Sequence, residues 1–211
     1  MTINNRLKEY IEQEILPLYF SFDKAHNIDH VEQVIEQSLS LAQHYDVDID
    51  MVYTIAAYHD TGLAEGREFH HIASGKILCA DSRLKEFFSE EQIVTMCEAV
   101  EDHRASSKSA PRSIYGRIVA EADRCIDPIT IIRRTVQFSL KHYPTLTVEE
   151  HFARCSNHID EKYGKNGYLK LWIPQSNNAA RLAELQTIAE DRAQLRKIFD
   201  QIFAEESSCG F

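Results

Sequence analysis

The stretch AAYHDTGL, residues 56–63, ends a run of small apolar residues with His59 and Asp60. On a helix, His59 shares the inward face of Val52 and Ile55, which precede it by seven and four residues. Burying an imidazole, and above all a carboxylate, costs free energy unless a partner satisfies it. At this point two interpretations are open: a hydrogen-bonded structural pair, or two ligands of a metal ion.

Three further side chains of the same kind face inward on other predicted helices. They are His30, His103 and Asp123, each three or four residues from an apolar residue of its own helix. A divalent ion keeps carboxylates ionised and imidazoles neutral in a buried site, so the recurrence favours metal over a structural pair. Nitrogen and oxygen donors without a thiolate suit Mn, Fe, Co, Ni, Zn or Mg. We therefore expect one or two divalent ions as cofactor.

The elements that position these residues are predicted to be helices. Apolar residues recur at helical spacing almost throughout, with only seven glycines and five prolines among 211 residues. Thr147 and Glu150 form a capping-box pattern for a helix that stops at Gly164, and a last helix is predicted over 178–205. We predict an all-α, single-domain helical bundle over residues 1–211, with a C-terminal helical extension at 140–211.

The charge and composition of the chain indicate which binding partners and which location to expect. The formal net charge of −10 disfavours non-specific binding to nucleic acid or anionic membranes. No apolar run is long enough to cross a bilayer, and the first residues, MTINNRLKEY, lack the pattern of a secretory signal, so a cytoplasmic location is expected. Five widely spaced cysteines without a CxxC pair predict reduced, mostly buried thiols. The formation of a homodimer remains possible on this evidence from the sequence.

Basic residues concentrate in one part of this acidic chain. From Arg104 to Arg134 there are seven basic residues against three acidic ones. Such an island is either a solvated face or a surface that neutralises a small anionic ligand.

Three segments resemble a known family. HNIDHVEQV, AAYHDTGL and VAEADR are similar, in order and context, to the H…HD…D signature of the HD-domain superfamily of metal-dependent phosphohydrolases. This resemblance implies a signature core of an HD-type domain at about residues 20–135. HHIASGKIL and AVEDHR resemble the two helices that supply further histidines in members with two metals. The ligands that the resemblance implies are His30, His59, Asp60, Asp123, His70 (or His71) and His103.

The resemblance implies a phosphohydrolase that cleaves an ester or anhydride of a small phosphorylated molecule, with a nucleotide as the expected class. Asp60 would orient the attacking water, and His26 would contact substrate or protonate the leaving group. Arg104, Lys108 and Arg124 would bind phosphate oxygens. For His26 a surface position capping a helix is the alternative, and for Arg124 an ion pair with a nearby acid.

The sequence departs from two branches of that family. TGLAEG follows His59-Asp60 without the acidic pair of ppGpp hydrolases, and the Gly-Tyr-Pro element of cyclic-di-GMP phosphodiesterases is absent. Two other functions remain: an HD-type di-iron oxygenase, and a non-catalytic sensor that binds metal or nucleotide. Trp172 and Tyr168 either stack on a nucleobase or pack down the irregular segment at 164–177.

Overall fold

The computed structural model describes residues 2–22, 26–107 and 109–208, and these ranges contain helices and no strand. The predicted all-α class is confirmed. The helices are α1 (Asn5–Tyr10), α2 (Ile28–Ala42), α3 (Ile49–Tyr58), α4 (His70–Ala80), α5 (Glu90–Glu101), α6 (Ile114–Asp123), α7 (Pro128–His142), α8 (Val148–Tyr163), α9 (Asn178–Glu190) and α10 (Arg192–Ser208).

The chain divides into two compact units. The first unit comprises Met1–Arg124 and Trp172–Ser176, and the second comprises Cys125–Leu171 and Asn177–Phe211. The single domain expected over 1–211 stays a prediction. Within the described ranges, no helix is both long enough and apolar enough to cross a membrane.

Helix α3 is the centre of the first unit. All of its residues from Met51 to Tyr58 are buried, and it packs against α2, α4, α5 and α6. Side chains of the preceding residue start three of these helices: Asn27 accepts the amide of His30, Asp48 caps α3, and Ser89 forms a capping box at α5. Those caps set where each helix begins, and so which residues lie at its inner end.

The N-terminal segment is helical, but its helix type changes twice along the chain. Helix α1 ends at Tyr10, a π-helical turn follows over Ile11–Ile15, and a 3-10 turn covers Leu16–Ser21. Pro17 lacks the amide hydrogen that a continuing α-helix would use, so the chain tightens there. The 3-10 turn packs against α2 and buries Tyr19.

The prediction of reduced thiols is wrong for one pair of cysteines. Cys79 of α4 and Cys97 of α5 form a disulfide, with Cα atoms 5.8 Å apart. The two cysteines are 18 residues apart and meet only because α4 packs side by side with α5, so no local spacing reveals them. Cys155 is a buried thiol, as predicted, and Cys209 lies outside the described residues.

The second unit contains α7 to α10. The predicted capping box of Thr147 and Glu150 is confirmed at the start of α8. The single helix predicted over 178–205 is wrong: Asp191 interrupts it, accepting hydrogen bonds from the amides of Ala193 and Gln194 at 3.1 and 3.0 Å. His151 of α8 is buried, with its Nδ1 2.6 Å from the Ser139 hydroxyl.

Candidate metal centre

Histidine and aspartate side chains from five helices converge in the first unit. Each lies at or next to a helix end, where the side chain can point across the end of the core rather than into its apolar centre. The residues are His30 in the first turn of α2, His59 and Asp60 directly after α3, His70 at the start of α4, His103 just beyond α5, and Asp123 at the end of α6.

The buried carboxylate of Asp60 lies between two histidine pairs. Its Oδ2 atom is 3.3 Å from Nε2 of His59 and 3.7 Å from Nε2 of His30. Its Oδ1 atom is 3.3 Å from Nε2 of His70 and 3.5 Å from Nε2 of His103. Each oxygen thus faces a separate cluster whose ligand atoms all lie within 4.8 Å of one another.

Asp123 adds a second carboxylate to the first cluster. Its Oδ1 atom is 3.2 Å from Nε2 of His30 and 3.8 Å from Nε2 of His59. The first cluster therefore offers two imidazoles and two carboxylates, whereas the second offers two imidazoles and the other oxygen of Asp60.

Backbone carbonyls hold three of the imidazole rings in place. Nδ1 of His59, His70 and His103 lies 2.8, 2.8 and 2.6 Å from the carbonyl oxygen three residues earlier in the chain. A carbonyl can only accept, so each Nδ1 carries a proton and donates it. In the neutral ring the lone pair is then on Nε2, the atom that points at Asp60.

The donor atoms fit a divalent ion. Nε2 of His30 is 3.3 Å from Nε2 of His59, and Nε2 of His70 is 3.1 Å from Nε2 of His103. Nitrogens bound at about 2.1 Å to one ion lie about 3.0–3.4 Å apart at tetrahedral or octahedral angles. In the pair of His70 and His103 both Nδ1 atoms donate to carbonyls, so the two neutral Nε2 atoms are both acceptors, and a shared cation satisfies them where a hydrogen bond between them cannot.

The buried carboxylates of the site stabilise positive charge beside them. Burial opposes protonation of His59, yet the Asp60 and Asp123 carboxylates outweigh it and raise the pKa of His59 to about 9. Burial likewise opposes ionisation of Asp60, but the neighbouring His59 charge holds the pKa of Asp60 well below its usual range. For His70, burial lowers the pKa. The metal-free site thus keeps both carboxylates ionised by holding a proton in their midst.

The alternatives at residues 70 and 26 have distinct geometries. Nε2 of His70 lies in the second cluster, whereas Nδ1 of His71 is buried without a hydrogen-bond partner within the described ranges. The cap of α2 is Asn27, and Nε2 of His26 lies 3.4 Å from the guanidinium of Arg67. Sequence reasoning missed Arg67. The sequence feature that could have identified Arg67 is its position three residues before His70, because Nδ1 of His70 donates to the Arg67 carbonyl.

The cations expected to bind phosphate have other contacts. Arg104 donates to the carbonyl of Glu68, in the segment that leads into α4. Arg124 donates to the Ala120 carbonyl of its own helix, and burial lowers the pKa of its guanidinium. Lys108 lies outside the described residues. Their binding of substrate stays a prediction.

Two of the basic residues between Arg104 and Arg134 form ion pairs within the protein. Arg112 pairs with Asp102 and Glu101, with its Nη2 atom 2.7 Å from the Glu101 carboxylate. Arg133 pairs with Glu205 and Glu206 within the second unit. For these two arginines the interpretation as a paired, solvated face is the one that the contacts support.

Trp172 packs onto the first unit rather than standing free. The buried carboxylate of Glu121 accepts the amides of Trp172 and Ile173 at 2.6 and 3.3 Å and the Ser176 hydroxyl at 2.5 Å. The Trp172 side chain is partly buried against the core, whereas Tyr168 is exposed. The contacts of Trp172 therefore match the packing alternative.

The chain is similar to known proteins in sequence and in fold. A family model described as the HD domain matches residues 27–126. No curated protein sequence matches the chain. The fold is similar to the crystal structure of a predicted HD superfamily hydrolase from an uncultured Thermotogales bacterium, with a TM-score of 0.50 and 21% sequence identity over 72% of this chain and 84% of that chain.

Proposed function

We propose that this chain, whose residues 27–126 match the HD-domain family model, is a metal-dependent phosphohydrolase acting on a small phosphorylated molecule, with a nucleotide as the substrate class. One observation carries the proposal: the two oxygens of the Asp60 carboxylate face two separate pairs of histidines. Two ions held at these clusters would stabilise the attacking and leaving oxygens of an in-line phosphoryl transfer.

In this proposal His30, His59 and Asp123 would hold one ion, His70 and His103 would hold a second, and Asp60 would contribute to both. Bound divalent ions supply Lewis-acid activation of a water molecule and of a phosphoryl oxygen. Four imidazoles among the ligands favour a transition metal such as Mn, Fe, Co, Ni or Zn over Mg, which prefers an all-oxygen shell.

The residues beside the ligands have the charge that a phosphoryl group requires. The contact of His26 with Arg67 and the position of Arg104 next to His103 support a cationic border around the site. In this proposal the guanidinium groups bind non-bridging oxygens, Asp60 orients the attacking water, and His26 transfers a proton to the leaving oxygen.

Release of phosphate tests the proposal directly. The chain loaded in turn with Mn, Mg, Ni and Fe would be assayed against a panel of phosphorylated metabolites that includes nucleotides. Asp60→Ala is expected to reduce turnover to below about one hundredth of wild type, because both ions lose a ligand. Asp46→Ala, which removes an exposed carboxylate elsewhere in the unit, is the matched control.

Two results would contradict the proposal. The first is wild-type turnover by Asp60→Ala. The second is turnover that needs iron and consumes oxygen without releasing phosphate, which would favour the di-iron oxygenase alternative.

A further inference from the structure

The hydroxyl of Tyr19 lies where α3 ends and the chain turns into Asp60. Helix α3 ends at Tyr58, so its last carbonyls have no amide partner within the helix. The Tyr19 hydroxyl donates to one of them, the carbonyl of Ala57, at 2.9 Å. The same oxygen accepts the backbone amide of Asp60 at 3.2 Å.

The flanking carbonyls of this helix end are taken by other side chains. Nδ1 of His59 donates to the carbonyl of Ala56, and the Thr61 hydroxyl donates to that of Tyr58 at 2.8 Å. In a continued helix the Asp60 amide would donate to Ala56, the carbonyl that His59 occupies here. The amide of Asp60 therefore needs a partner from outside the helix, and Tyr19 is that partner.

Tyr19 is held firmly enough to act as a fixed support. Its side chain is fully buried, and its ring contacts that of Phe22 edge-on, with centroids 5.3 Å apart. Burial raises the pKa of Tyr19 well above its ordinary value, so its hydroxyl keeps the proton that it donates. Because the hydroxyl both donates and accepts within the backbone, it supports the site without contacting a substrate.

We propose that Tyr19 is the positioning residue of Asp60, keeping the carboxylate turned so that one oxygen faces each histidine pair. This inference rests on the proposed function, because it assigns a role at the same metal centre. Without the hydroxyl, a buried amide and a buried carbonyl lose their partner. The Asp60 amide would then be drawn towards the Ala56 carbonyl, its acceptor in a continued helix, and this shift would displace His59 and rotate the carboxylate out of place.

The test compares Tyr19→Phe with Tyr58→Phe. Each variant removes one hydroxyl from a buried tyrosine of the first unit and keeps the ring, but the Tyr58 hydroxyl bonds the Asp81 carboxylate at 2.5 Å and does not contact Asp60. Three quantities would be measured: the dissociation constant for Co²⁺ by competition with a chelator, the ligand-field absorption of bound Co²⁺, and the unfolding of the metal-free protein.

Tyr19→Phe is expected to weaken Co²⁺ binding by about tenfold or more and to change the absorption spectrum, as loss of a group that orients a ligand typically does. Tyr58→Phe is expected to keep the wild-type dissociation constant and spectrum. Wild-type Co²⁺ binding by Tyr19→Phe would overturn this inference alone, as would an equal loss in Tyr58→Phe. Failure of the wild-type chain to bind Co²⁺ would contradict the proposed function as well.

A second measurement does not depend on how well the variant folds. In the metal-free wild-type protein, the Asp60 amide should exchange with deuterated solvent at least about tenfold more slowly than an unstructured amide, because Tyr19 accepts its hydrogen. Exchange at the unstructured rate would overturn the inference.

Discussion

At the scale of single residues, the histidines of the site are oriented before any ion arrives. Three of them donate from Nδ1 to the backbone carbonyl three residues earlier, which leaves Nε2 directed at Asp60; these are His59, His70 and His103. Such second contacts set both the tautomer and the direction of a ligand. Because the contact joins residues three apart, it follows from local helix-end geometry and is independent of the rest of the fold.

This arrangement predicts that metal affinity depends on pH. The pKa of His59 in the metal-free protein is about 9, so below that value a proton occupies the nitrogen that an ion must take. Affinity should therefore rise with pH, by about tenfold per unit while His59 remains protonated, and level off above about pH 9. Titration calorimetry in buffers of different ionisation enthalpy should show about one proton released per first-cluster ion near neutral pH. An affinity that is independent of pH over this range would contradict the assignment of His59 as a ligand.

Site residues could be predicted from the sequence only where they follow the regular spacing of a helix face. His30, His59, His103 and Asp123 could be singled out because each lies on the apolar face of its own predicted helix. Tyr19 could not, because its partners Ala57 and Asp60 are 38 and 41 residues away and no local pattern joins them.

At the scale of elements, the turn after Asp60 is locked against the start of α4. The amide of Gly62 donates to the buried hydroxyl of Ser74 at 2.8 Å. A Cβ atom at Gly62 would lie 2.3 Å from the carbonyl oxygen of His70 and 2.4 Å from the amide nitrogen of Ser74. The two backbones approach so closely that only a glycine fits, and this approach brings His70 towards Asp60.

We predict that Gly62→Ala lowers the free energy of unfolding by about 1–3 kcal/mol, because neither backbone can move away without disturbing the site. It should also weaken metal binding. Gly75→Ala, within α4, is the control: the atom nearest its added Cβ belongs to the flexible Glu101 side chain, at 2.8 Å, the nearest backbone atom is the Cys97 carbonyl oxygen at 3.1 Å, and alanine favours the helix. Chemical denaturation of both variants checks this, and equal stability of Gly62→Ala and wild type would contradict it.

Helix positions were largely predictable from the sequence, but some of their ends were not. The capping boxes at Ser89 and Thr147 are local patterns, and both appear in the structure. The break at Asp191 was missed because apolar residues keep helical spacing on both sides of it, and only the bonds of its carboxylate to the next amides separate α9 from α10. The disulfide of Cys79 with Cys97 was missed because it depends on how α4 packs against α5.

At the scale of the whole molecule, the ligands are spread over residues 30–123, yet all belong to the first unit. Two buried carboxylates of that unit have partners from other elements of the fold. Asp60 has histidines from α2, α4 and α5, and Glu121 has the amides of Trp172 and Ile173. Because the net charge of the chain is −10, the molecule as a whole repels anions, so under the proposed function local cations must attract a small anionic substrate.

The content of bound metal in ligand variants tests the central claim most directly. After equilibrium dialysis against Mn²⁺ or Co²⁺, elemental analysis of the wild-type chain should give about two ions per chain. His30→Ala and His103→Ala should each lose about one ion, and Asp60→Ala should lose both, while His44→Ala, an exposed histidine, should match wild type. Wild-type metal content in Asp60→Ala would contradict the account.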